Sequence, residues 1–133
     1  MHVFFVGICH LELKCLLEYS INKNKAFLAY LNDKIINFNY NKYDKTDKPN
    51  EIDNNAIKNG FFTQKSGQMS VLYHNLPLMI GDRYVNSDKH WANYLSLLKI
   101  INLTFAFNYN EKIIEYLSNE IKDFFRKFYH SVS

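Results

Sequence analysis

Residues 87–105 read SDKHWANYLSLLKIINLTF, and their spacing decides the fold class. Ser87 or Asp88 stands where a helix cap belongs, just ahead of an apolar series. Trp91, Tyr94, Leu95, Leu98, Ile101 and Phe105 then recur every three or four residues. That interval lines up side chains along one face of a 3.6-residue turn. Beyond a short turn at 107–110, a last helix starting at Tyr109 or Asn110 carries Ile113, Ile114, Leu117, Ile121, Phe124, Phe125 and Phe128. So broad a stripe is a core face rather than a ligand box. Two such helices joined by so short a link pack antiparallel. Trp91, Tyr94, Leu98, Leu117, Ile121 and Phe125 are the expected shared core.

The same period runs upstream. Between Val3 and Ile21 the positions Phe4, Ile8, Leu11, Cys15, Leu16 and Tyr19 predict an amphipathic helix, with a possible kink at Gly7. Leu28, Leu31, Ile35 and Phe38 predict a second helix over about 25–38. Residues 40–60 are polar, rich in Asn and Asp, and include Pro49, which reads as a long loop. Ser66 is the candidate cap of a helix through Met69, Leu72 and Leu76, and Pro77 is expected to kink or break it at His74–Leu76. Gly81 and Asp82 end that segment. The expectation is an all-α protein of about five helices in one domain: N-terminal helices over 1–39, a loop over 40–64 and C-terminal helices over 65–130.

Composition excludes several classes. At 133 residues, with 47% hydrophobic and 17% aromatic residues, the chain is too apolar to be disordered and long enough to bury a core. Sixteen basic and 13 acidic residues leave a net charge of +3. The two signs interleave, as in KYDKTDK at 42–48, so binding to DNA is expected to be weak and non-specific. The opening run VFFVGIC lacks the basic flank and cleavage site of a secretion signal. It also falls far short of the ~20 apolar residues that cross a bilayer. Two cysteines are too few for a disulfide framework, and Cys9 and Cys15 sit more than a helical turn apart. An intracellular protein, nuclear or cytoplasmic, with reduced thiols is the expectation.

Candidate chemistry is sparse. Cys9, His10 and Cys15, with His2 nearby, form the one metal-like grouping. C-H-x4-C does not present two ligands from one turn, as zinc pairs do, and no second pair comes after it. His74, His90 and His130 are isolated. No nucleophile elbow, Walker loop or dinucleotide fingerprint occurs, and SGQ at 66–68 is a helix start. No catalytic, cofactor-binding or metal-ligating residue is assigned.

Several blocks in order carry a resemblance. MHVFFVGI, then CHLELKCLL, resembles M-H-D-L-L-E-G-V followed by x-Y-E-L-K-x-L-L. LNDKIINFNY at 31–40 is similar to L-N-x-R-I-x-x-F-x-Y, and DKTDKP at 44–49 to D-K-x-N-K-P. SGQMSVLYHNLPLMIGD and HWANYLSLLKI are similar to G-Q-M-x-x-L-x-x-x-L-P-L-M-I-G and H-W-x-x-Y-L-x-L-L-x-I. These are motifs of transposase-like proteins of animal DNA transposons, and the resemblance spans roughly residues 1–125. It implies a helical part of a larger RNase H-like enzyme, a class that cuts and joins DNA with acidic residues and two divalent metals.

One departure limits what the resemblance implies. The family's Asp and Glu stand here as Val3 and Val6. Magnesium requires oxygen ligands, which valine does not have. The chain also begins at the motif's own methionine and ends soon after the last helix. The expectation is therefore a truncated, degenerate, catalytically inactive transposable-element protein. The alternative is a non-enzymatic helical interaction module that self-associates or binds a protein partner through exposed apolar surface.

Overall fold

The helical period dominates the computed structural model, which describes residues 2–60, 62–106 and 111–132, and side chains over 7–60, 62–103 and 115–130. Six α-helices and two 3-10 turns make up its regular structure, with no strand among the described residues. The protein is all-α. Two compact units divide it, residues 1–85 and 86–133.

The first unit opens with α1, His2–Lys23, which continues through Gly7. Its buried face is Cys9, Glu12, Leu13, Leu16, Leu17 and Ser20, whereas Leu11 is exposed and Ile8, Cys15 and Tyr19 are half-buried. The expected stripe is therefore rotated from the true one. A charged residue, Glu12, lies on the core face, and this breaks the apolar pattern that would have marked it. After α1 the chain turns at Asn24, whose Oδ1 accepts from the Ala26 N–H at 3.0 Å. Helix α2, Phe27–Asn37, then buries Phe27, Leu31 and Ile35.

Residues 38–65 differ from a plain loop. They hold a 3-10 turn, Asp44–Asp47, and a six-residue helix, α3, Asn54–Asn59. Asp53 Oδ1 caps α3 by accepting from the Ala56 N–H at 2.7 Å. Gly60 closes it with φ of 71°, a left-handed conformation that costs other residues more than glycine. Ala56 and Ile57 are buried.

Helix α4, Ser66–Ile80, runs through Pro77 without a break. This corrects the expected interruption at His74–Leu76. Leu72, Tyr73, Leu76, Met79 and Ile80 are all buried around the proline, and such packing outweighs one missing backbone hydrogen bond. The cap position is Lys65, not Ser66. The Lys65 N–H donates to Gln68 Oε1 at 2.8 Å, the side chain reaching back from the third helical position. A 3-10 turn, Gly81–Arg83, comes next, and α1 packs with α2, α3 and α4.

The second unit is α5, Lys89–Ala106, against α6, Glu111–Val132. Asp88 is the cap, its Oδ1 accepting from the Trp91 N–H at 3.1 Å. Trp91, Tyr94, Leu97, Ile100 and Ile101 are buried on α5, and Leu117, Phe124 and Phe128 on α6. Leu98, Ile121 and Phe125 are only half-buried, so part of the expected core is corrected. Adjacent leucines at 97 and 98 fit the period equally well, and α5 turns Leu97 inward. The turn at 107–110 and the side chains of Phe4, Phe105, Ile113 and Ile114 lie outside the described residues.

Candidate functional site

The sequence groups Cys9, His10 and Cys15, and α1 separates them by face. Cys9 is buried at one end of a short run, Glu12 lies one turn later, and Cys15 is half-buried a further turn on. Residues at i and i+3 share a helix face, so Glu12 stands between the two thiols. His10 points elsewhere. Its ring meets Phe62 edge-on at 5.6 Å between centroids, and its Nε2 is buried without a hydrogen-bond partner.

Glu12 is the group that sequence reasoning misses. It is 1% exposed, its Oε2 has no hydrogen-bond partner, and Leu13, Leu16 and Leu17 beside it are fully buried. Burial disfavours the charged form and pushes its carboxyl up to about 8 from an ordinary 4.5. The sequence carries no signal for it, since an acid ordinarily marks a solvent face.

Both thiols obey the same logic. Burial, reinforced by the Glu12 carboxylate, raises Cys9 to about 12. Cys15 rises to about 11, again chiefly through burial, with Glu12 and Glu18 adding and Lys14 opposing. A thiol near 12 is ionised at neutral pH on the order of one part in 10^5, so it is a poor nucleophile. His10 is lowered by burial, and the Gly60 backbone partly offsets this. At neutral pH the cluster is thus two thiols, a carboxylic acid and an imidazole, all neutral. Among the described residues no three His, Cys, Asp or Glu side chains are placed to hold a metal ion.

The remaining histidines are scattered. His74 Nδ1 bonds to the Ser70 carbonyl at 2.8 Å within α4, His90 is half-buried near the start of α5, and His130 is exposed on α6. The backbones of His2, Val3 and Val6 form the first turns of α1, and their side chains lie outside the described set.

A second constellation is polar and pins 44–53 to the helices. Asn32 makes two bonds to Ile52, accepting from its N–H and donating to its carbonyl, each at 2.8 Å. Gln64 does the same to Asn50, at 2.8 and 2.7 Å. Each side-chain amide pairs with backbone as a neighbouring strand would, which satisfies groups that have no helix to join. Gln68 Nε2 donates to the Lys48 carbonyl at 3.0 Å, and Asn75 Nδ2 to Asp44 Oδ2 at 3.3 Å. Asp47 fills the space above Gly67, where an added Cβ would come within 2.8 Å of its Oδ2. Any side chain at 67 would require the Asp47 carboxylate to shift. Two of the resembling blocks thus meet directly, 44–49 through Asp44, Asp47 and Lys48 and 66–82 through Gly67, Gln68 and Asn75, while Asn32 of 31–40 bonds to Ile52, outside them.

No helix among the described residues is long and apolar enough to cross a membrane. Comparison with family models, curated proteins and solved structures finds no match to the chain.

Proposed function

We propose that this chain is a transposase-like, transposable-element-derived helical protein that does not itself cut or join DNA. The observation that carries the reading is the pair Val3 and Val6, standing where the resembling proteins have Asp and Glu in the otherwise matching frame of His2 and Gly7. Two-metal strand cleavage needs carboxylate oxygens held on the ions, and isopropyl groups supply none.

Two further features support it. Motif residues of 44–49 and 66–82 are bonded to one another, so these residues have a role in the fold that needs no DNA chemistry. The thiols and carboxyl of α1 are protonated at neutral pH, which suits a core and not a nucleophile. A second reading, a helical module binding a protein partner, is favoured by the large exposure of Ile36, Leu78 and Val85 in the first unit.

The test is incubation of the purified chain with supercoiled plasmid and magnesium or manganese. The expected result is no conversion to nicked circles above the buffer control. Nicking that co-purifies with the chain and stops on chelation would overturn the proposal. Weak, salt-sensitive retention on DNA is compatible with it, since a chain of charge +3 contacts phosphates without sequence preference.

A further inference from the structure

The carboxyl at the centre of the α1 face sits where an ionised group cannot stay. Glu12 is 1% exposed, one of its oxygens is unpartnered, and its nearest neighbours along the helix face are a buried thiol and fully buried leucines. On α1 the groups coupled to Glu12 are the Cys9 and Cys15 thiols, which are themselves neutral. The elements packed against α1 carry Tyr30, Asp33 and Lys34 on α2, Lys58 on α3, and Tyr73 and His74 on α4. None of them acts on Glu12 as a counter-charge: burial alone displaces it.

We propose that the seating of α1 in the first unit is gated by one proton on Glu12, so that its core face opens to water as the pH rises through the neutral range. Protonated, the side chain is an uncharged polar group whose burial costs little more than an amide. Ionised, it must recover water. Burial pushes the carboxyl up to about 8 from an ordinary 4.5, so each unit of pH rise within that interval weakens the seated form, and the neutral range lies inside it. Hydration of Glu12 requires the α1 face to part from its neighbours, and Cys9, one turn earlier on that face, is uncovered by the same movement. Cys9 is 6% exposed in the closed form, which makes its thiol a built-in reporter.

The experiment labels Cys9 with an aromatic disulfide reagent in a Cys15→Ser background, between pH 6 and pH 9. Dividing each rate by that of the same chain unfolded in urea at the same pH removes the thiol's own ionisation and leaves the protection due to structure. Protection is expected to fall at least tenfold across this range, and the fall is expected to vanish when Glu12→Gln is added. If glutamine at 12 prevents folding, judged by far-ultraviolet circular dichroism, Glu12→Met serves as the uncharged variant of similar length. Protection that stays level with pH in the Cys15→Ser chain would overturn the proposal. So would a fall that persists unchanged in the uncharged variants, because the gate would then lie elsewhere.

Discussion

A Cβ added at Gly7 meets no atom within 4 Å, and α1 passes through that position as regular helix. Gly7→Ala should therefore stabilise the chain by about 0.5–1 kcal/mol, mostly by removing freedom from the unfolded state. Gly60 is the opposite case. Its φ of 71° is a backbone conformation that residues with a side chain rarely adopt, although the space itself is open, with Lys14 Cδ at an ordinary contact of 3.4 Å. Gly60→Ala should destabilise by about 1–2 kcal/mol. Urea melts of the two variants check the pair, and equal shifts of the same sign would mean that one backbone has been misjudged. Glu12 shows how one residue hides a pattern. In sequence alone an acid argues for a solvent face, and that turns the expected apolar stripe away from the true one.

Among the elements, α5 is legible because cap and stripe agree: Asp88 precedes the series and Trp91, Tyr94 and Ile101 are buried as their spacing implies. What spacing leaves open is the choice between neighbours. Leu97 is 2% exposed and Leu98 half-buried, so Leu97→Ala should cost about 2–5 kcal/mol and Leu98→Ala clearly less. Chemical denaturation of both variants decides it, and a larger loss at Leu98 would put the wrong leucine in the core. Helix α3 escapes a reading of the sequence although Asp53 and Gly60 bracket it as cap and stop, because an Asn-rich interior of six residues has little helix propensity. The clamps of Asn32 on Ile52 and Gln64 on Asn50 leave no trace in sequence at all. Side-chain amides pairing with distant backbone have no period to detect. Ion pairs are a lesser matter: Lys99 with the half-buried Glu120 at 3.6 Å and the exposed Arg126 with Asp123 at 3.0 Å reach solvent and contribute little.

For the molecule as a whole, the neutral core of α1 sets how stability responds to pH. Below pH 4.5 Glu12 is protonated folded and unfolded, so burying it carries no ionisation cost. Between 4.5 and about 8 the unfolded chain gives up the proton first, and stability falls as pH rises. Above about 8 the loss is complete. The interval corresponds to roughly 4–5 kcal/mol, comparable with the whole stability of an ordinary domain, which is why opening of α1 is the expected response. The candidate chemistry of this protein reduces to whether that acid is held protonated. The direct measurement is a carbon-13 titration of the Glu12 side-chain carboxyl in the folded chain, assigned by its loss in Glu12→Gln. The account predicts an apparent midpoint well above 4.5 and no higher than about 8, reached together with the opening of α1. A midpoint near 4.5 with the fold intact would contradict it, for Glu12 would then be a hydrated surface carboxylate and the α1 cluster would no longer be a neutral core.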